Sequence, residues 1–278
     1  INDFLYSNNV IYDAFLNTEK YNKTLIEDLF KQQVNLNSEN IDHNYFSLNY
    51  GKKFFSQEDA KIIGKIRENL KLIENQITKR EYSILLASLI YSVDKAANTV
   101  GHYDAYIKNK KIIKKFNFNL IEPIQHSKSI KIYREDANSL VRRINADVVY
   151  IDPPYNSRQY SRFYHLLENL VKWDKQELSG VAMKPKPENM SDYCRNNANI
   201  VFKDLIENLK CKHIIVSYNN TYQSKSSSSE NKITLDEIRE ILNGKGKTIE
   251  QSKAYNHFNA GKTSFDDHKE FVFYTKVR

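Results

Sequence analysis

The chain has 278 residues, 40% of them hydrophobic and 27% charged, with a formal net charge of +8. This is the composition of a globular protein, and no apolar run is long enough to span a membrane. Cys194 and Cys211 are too few for a disulfide framework or a zinc site, which fits a reducing, cytoplasmic setting.

Residues 4–17 and 20–34 read as helices without clear cores of their own. Ile62, Ile63, Ile66, Leu70 and Ile73 recur at helical spacing and predict a helix over 57–76, with Ser56 as its N-cap. Thr78 and Glu81 form a capping box for a helix through Tyr82, Leu85, Leu86, Leu89 and Val93, with Gly101 as its stop. A lysine-rich segment at 108–115 follows, then a loop to Pro123. Residues 52–134 hold 17 Lys and Arg against 8 Asp and Glu, so the remainder is near neutral. A basic block on a neutral scaffold suggests a polyanion-binding module, although a solvated lysine-rich helical surface has the same composition.

Beyond this block strands and helices alternate. Strands are expected at 129–134, 147–151 and 213–218, and helices at 137–145, 161–172 and 192–209. Ser224–Ser229 reads as a flexible loop, and Thr234 with Glu237 caps a helix that stops before Gly244. Segments 247–255 and 270–277 read as final strands, an antiparallel pair. The alternation predicts an α/β domain with a mostly parallel sheet and covering helices, interrupted by the basic helical block.

Asp152-Pro153-Pro154-Tyr155 follows the apolar run Val148-Val149-Tyr150-Ile151 and so falls at the carboxyl end of a buried strand, where open α/β sheets bind ligands. The carboxylate can accept from an amino group, the prolines stiffen the turn, and the tyrosine ring can stack on a heterocycle. Such a site can grip a planar amine. The alternatives are a strand-end aspartate capping a turn and a core tyrosine.

At these residues the chain resembles the adenine-N6 DNA methyltransferases of the DNA-adenine-methylase type, in the alpha-group order of motifs. Asn2-Asp3, Phe54-Phe55-Ser56, Asn98-Thr99-Val100-Gly101 and Glu135-Asp136-Ala137 carry the resemblance with the tetrapeptide. So do Asn156-Ser157-Arg158-Gln159-Tyr160, Tyr164-His165-Leu166-Leu167-Glu168 and Ser217-Tyr218-Asn219-Asn220. The resemblance implies a Rossmann-like sheet that binds S-adenosylmethionine and no metal. It implies catalytic roles for Asp152, Pro153 and Tyr155, and cofactor contacts from Asp3, Asp136 and Asp152. Asp136 is also a candidate N-cap. The implied domains are a catalytic one at 1–51 and 127–278, and a helical, basic target-recognition insertion at 52–126 that holds Lys65, Arg67, Arg80 and Asn98. Double-stranded DNA is the implied partner, clamped through Arg158, Arg162, Lys108, Lys110, Lys111, Lys114 and Lys115, with Lys184 and Lys186 as further candidates. His165 and Glu168 read as helix-face packing residues.

One element departs from the family pattern. The family carries a Phe-x-Gly-x-Gly-type loop after its first strand, whereas the first glycine here is Gly51. Gly244-Lys245-Gly246, the single Gly-x-Gly, reads as a helix C-cap and turn. Ile1 is not a start residue and Asp3 falls where the family's second strand ends, so the expectation is that about 30–50 residues of the family pattern, roughly a βα unit with a lead-in, are cut away, disordered or encoded separately. The implied function is N6 methylation of an adenine flipped from duplex DNA in a prokaryotic restriction-modification setting, with a cognate endonuclease as a further partner. The alternatives are a split-chain DNA-binding module inactive alone, an RNA-adenine enzyme, or an N4-cytosine enzyme. Asp at the first motif position favours adenine over cytosine.

Overall fold

The computed structural model of the protein describes residues 1–108, 114–221, 229–254 and 268–278. In chain order the helices are α1 (Tyr6–Leu16), α2 (Lys23–Val34), α3 (Tyr45–Tyr50), α4 (Gln57–Ile73), α5 (Lys79–Ala96) and α6 (Ala137–Val141). They continue with α7 (Tyr160–Phe163), α8 (His165–Lys172), α9 (Ala198–Asn208) and α10 (Leu235–Lys245). The strands are β1 (Val148–Ile151), β2 (His213–Asn219), β3 (Gly246–Ala254) and β4 (Lys269–Val277). Two compact units result: residues 1–134 with 160–189, and residues 135–159 with 190–278. Segment 52–126 thus falls in one unit with 1–51.

The first unit is helical and built on α5. Thr78 and Glu81 close the expected capping box at its start. Ile84, Leu85, Leu86, Leu89, Ile90 and Val93 are all buried, so α5 is apolar around most of its circumference and sits inside the unit. Helices α1, α2, α4 and α8 all touch it, which gives the two N-terminal helices the core that their own sequences lack. Helix α5 ends at Ala96, short of the expected stop at Gly101. The cause is Asn98, whose backbone N–H donates to Phe54 O at 2.8 Å and whose amide donates to Lys53 O and Ile107 O. Those bonds pull the chain off the helix axis, and Gly101 (φ 102°) serves a later turn.

Helix 161–172 is likewise two pieces, α7 and α8, because Phe163 O accepts from Tyr103 N–H at 2.8 Å. His165 lies at this break, fully buried, with Nε2 2.9 Å from Tyr103 O. Glu168, on α8, accepts from Ser7 N–H at 2.8 Å and Tyr6 N–H at 3.0 Å, so it caps α1 in place of an N-cap side chain. Arg67, 1% exposed, donates to Leu170 O at 2.6 Å and Val171 O at 2.8 Å and lies over Trp173. It thereby satisfies the open carbonyls at the end of α8. Arg80 is also buried, bonded to Glu19 O and stacked over Tyr21. Neither arginine of the expected reading segment is available to a base edge. The strand expected at 129–134 is a single parallel bridge, Asn2 with Tyr133.

The second unit carries a four-stranded mixed sheet, ordered β1-β2-β4-β3. Only β1 and β2 are parallel, Val148 against His213 through Ile151 against Val216. The β2–β4 and β3–β4 pairs are antiparallel, so the sheet is mixed where mostly parallel pairing was expected, while the closing antiparallel pair is as read. Period-two alternation buries Ile214, Val216, Tyr218, Phe271 and Phe273 with Phe202, Leu205 and Ile206 of α9 and Ile238 and Leu242 of α10. The helix expected at 137–145 is the shorter α6, and that at 192–209 is a 3-10 turn, Asp192–Cys194, followed by α9. Helix α10 runs through Gly244 to Lys245, so Gly244-Lys245-Gly246 is a direct helix-to-strand junction and no turn. A Cβ on Gly246 would stand 2.1 Å from Lys276 O, which is why a glycine begins β3. Residues 224–228 of the serine-rich stretch lie outside the described residues.

Two outcomes follow from the helical unit. Burial, opposed by the bond to Tyr103 O, lowers the His165 pKa to about 4. The unfolded chain therefore binds a proton below pH ~6.5 that the folded chain refuses until about pH 4, and stability falls as pH drops through that window, by up to ~3 kcal/mol. Urea titrations followed by Trp173 fluorescence should show this loss, and His165→Gln should flatten it. Arg67→Met should cost about 2–3 kcal/mol by leaving two helix-end carbonyls open, measured as a lowered unfolding midpoint by circular dichroism.

Candidate active site

Strand alternation decides which residues share the face on which Asp152 stands. Tyr150 and Asp152 are two apart, and the β1–β2 register sets Tyr150 against Ile215 and Ile151 against Val216, so Asp152 comes level with Ser217. Ser217 Oγ donates to Asp152 Oδ1 at 3.1 Å, and Tyr150 Oη lies 2.9 Å from Ser217 Oγ. Tyr155 Oη donates to the same Oδ1 at 2.8 Å. Asp152 is exposed while Pro153 beneath it is buried, so the turn is anchored and the carboxylate faces solvent.

The end of the motif is fastened to β2 and to the segment before α10. Tyr155 O accepts from Tyr218 Oη at 3.0 Å and from Lys232 N–H at 2.9 Å, and Tyr218 Oη accepts from Ile233 N–H at 3.3 Å. The Tyr155 and Tyr218 rings meet edge to face, centroids 5.1 Å apart. Asn156 bridges to Asn231, whose amide donates to Asn219 O at 2.8 Å.

The electrostatics are negative. Burial and then the Asp152 carboxylate push the Tyr155 phenol well above its ordinary range. Glu270, paired with Asn219 in the sheet register, has its carboxyl pKa raised by burial and then by the charge of Asp152, against an opposing bond from Asn219. Burial raises the Tyr218 phenol to about 12. Among the described residues no Lys, Arg or His forms an ion pair with Asp152. The site thus sets an Asp152 carboxylate, without an ion pair among the described residues, beside an aromatic ring. That suits a ligand that is cationic or becomes so.

The expected site residues divide between the units. Asp152, Pro153, Tyr155, Asp136 and Arg158 belong to the sheet unit, and Asp3, Arg162, Lys108, Lys114 and Lys115 to the helical unit. Asp136 is the N-cap of α6, accepting from Ser139 N–H at 2.8 Å through Oδ1, and is exposed. Asp3 accepts from Leu5 N–H and the Asn8 amide, each at 2.8 Å on a different oxygen. Both aspartates thus tie down helix starts, and the Asp3 carboxylate also meets the Tyr12 hydroxyl. Arg158 is exposed and donates to Ser229 Oγ at 2.9 Å. Arg162 donates to Pro185 O at 2.6 Å, and Lys184 pairs with Asp104. Lys65, Lys108, Lys114, Lys115 and Lys186 are exposed, whereas Lys110 and Lys111 lie outside the described residues. Sequence reading assigned no role to Tyr150, Ser217 or Glu270. The signal for Tyr150 was present in its alternation with Asp152, whereas Ser217 and Glu270 needed the strand register.

With this geometry in view, residues 1–241 match the family described as D12 class N6 adenine-specific DNA methyltransferase. The chain belongs to this family. It is 34% identical over 240 residues to the modification methylase StsI of Streptococcus sanguinis, a match covering 78% of this chain and 36% of that protein. It is 36% identical over 213 residues to the type II methyltransferase M.FokI of Planomicrobium okeanokoites, covering 74% of this chain and 32% of the relative. With the type II methyltransferase M.NlaIII of Neisseria lactamica identity is 32% over 241 residues, covering 83% and 68%. The chain thus spans about a third of the first two relatives and about two thirds of the third. No solved structure matches it. Among the described residues there is no cluster of three or more metal-ligating side chains, and no helix is long and apolar enough to cross a membrane.

The anchoring of the motif has a direct consequence. Tyr218→Phe removes the acceptor of Ile233 N–H and the donor to Tyr155 O, and should speed hydrogen exchange at the Ile233 amide about tenfold, the equivalent of ~1.4 kcal/mol. Mass-spectrometric exchange over 230–235 measures it.

Proposed function

We propose that this D12-class chain transfers a methyl group from S-adenosylmethionine to the N6 amino group of an adenine extruded from duplex DNA, in a prokaryotic cytoplasmic restriction-modification system with a cognate endonuclease. The observation that carries the reading is the exposed Asp152 carboxylate at the carboxyl end of β1, without an ion pair among the described residues and beside the half-buried ring of Tyr155. An adenine amino nitrogen is a weak nucleophile because its lone pair is delocalised into the ring. Accepting its N–H groups at the Asp152 carboxylate and the Pro153 carbonyl favours a pyramidal nitrogen and frees that lone pair. As positive charge grows on the nitrogen, a fixed carboxylate stabilises it. Tyr155 supplies a stacking surface for the base, whose amino group is out of reach while paired.

The residues fit the methyl donor in kind. A sulfonium cation suits the carboxylates of Asp152 and Glu270, and the lone pairs of Asp136 suit the donor's adenine amino group. S-adenosylmethionine, when bound, supplies an electrophilic methyl group. The sheet unit is read as the Rossmann-like catalytic part, and 52–126 as the target-recognition segment. Exposed Lys108, Lys114 and Lys115 and exposed Arg158 are read as backbone-phosphate contacts, which position the duplex without specifying sequence.

The test is methyl incorporation into duplex DNA followed by nucleoside mass spectrometry. Asp152→Ala should lower the rate by about 10³-fold or more. Tyr155→Phe should keep most activity, and Tyr155→Ala should lose ~1–3 kcal/mol of base stacking. An Asp152→Ala protein as fast as wild type, or product other than N6-methyladenine, would overturn the reading.

A further inference from the structure

We propose that Ser217 is a positioning residue for Asp152, held in turn by Tyr150, so that one chosen carboxylate oxygen faces the substrate amine. The inference rests on the methyltransferase reading above. A carboxylate turns about a broad two-fold torsion and by itself presents either oxygen. Here Ser217 Oγ at 3.1 Å and Tyr155 Oη at 2.8 Å both meet Oδ1. Oδ2 has no hydrogen-bond partner among the described residues. The symmetry is therefore broken, with Oδ1 the anchor and Oδ2 the open acceptor.

Proton counting orients the chain of bonds. Asp152 as a carboxylate carries no proton, so Ser217 must donate to it. Serine has one hydroxyl proton, so at 2.9 Å Tyr150 must be the donor to Ser217 Oγ. The relay runs Tyr150 Oη–H to Ser217 Oγ–H to Asp152 Oδ1. It joins two adjacent strands through side chains on one face. Tyr155, the third member, belongs to the motif itself and has a ring to give to the base. Ser217 is the anchor that needs no rearrangement when the base arrives. The gain is preorganisation: the acceptor already points where the amine will stand.

Single-turnover methylation with labelled S-adenosylmethionine, alongside duplex affinity, tests this on the full protein. Ser217→Ala should slow the methylation step about 10- to 100-fold with duplex affinity unchanged. Ser217→Thr, which keeps the hydroxyl, should restore most of the rate. Tyr150→Phe should slow the step less, and should add nothing on top of Ser217→Ala, because the two act through one bond chain. A merely structural serine would move the unfolding midpoint and leave the two substitutions additive. If Ser217→Ala turns over at the wild-type rate while Asp152→Ala is inactive, the inference fails and the methyltransferase reading stands. If wild type itself makes no N6-methyladenine, the methyltransferase reading fails, and crystal structures of wild type and Ser217→Ala decide the positioning claim. An Asp152 carboxylate that turns or splits into two orientations upholds that claim, and one that stays in place overturns it.

Discussion

The parallel pairing of β1 with β2, Ile151 against Val216, governs where the chemistry of this protein can sit. In this parallel register Asp152, the first residue past β1, comes level with Ser217 within β2, and the two side chains face the same way. Asp152 and Ser217 become neighbours for that reason, although 65 residues separate them along the chain. The antiparallel β4 then carries Glu270 beside Asn219, where burial and the charge of Asp152 raise its carboxyl pKa. A one-residue slip of β1 would send Asp152 to the buried face and Ile151 to solvent. The apolar packing of Ile214, Val216 and Tyr218 against α9 and α10 thus protects the register and, through it, the carboxylate.

The helical unit is governed by a different constraint, the satisfaction of backbone groups at helix ends. Helix α1 has no N-cap side chain of its own, and Glu168 of α8 supplies the acceptor. Helix α8 ends on open carbonyls, and Arg67 of α4 supplies the donors. Asn98 draws the chain away from α5 by bonding to residues 53, 54 and 107. These are contacts over long sequence separation made by charged or amide side chains. They explain how a lysine- and asparagine-rich chain with modest hydrophobic content still orders its helices around one apolar rod. They also explain why several charged residues in this basic region are structural.

Local signals were legible in the sequence wherever local chemistry decides the outcome. Ser56, Thr78 with Glu81 and Thr234 with Glu237 cap the helices that they were read to cap. The strand before Asp152 was visible from its apolar run, and the closing antiparallel pair was as read. But β1 is not the buried strand expected, since Val148 and Tyr150 are exposed and Val149 and Ile151 only partly buried. Helix stops were not, because Asn98 and Tyr103 end α5 and divide α7 from α8 through distant backbone partners. The roles of Arg67 and Arg80 were hidden for the same reason: charge in a basic segment looks like a polyanion surface until burial is known. At the site, the tetrapeptide announced itself. Ser217 stood in a segment that carries the resemblance, but its role toward Asp152 was not legible until the strand register placed it against the carboxylate.

In the proposed reaction Asp152 is held open to receive the amino group of an extruded adenine. The most direct measurement is methylation-sensitive sequencing of DNA from cells expressing the intact gene or its Asp152→Ala form. The account predicts N6-methyladenine at one recurring sequence with the wild-type gene, and none with Asp152→Ala at equal protein level. Methylation that persists in the variant, or that falls on cytosine, would contradict it.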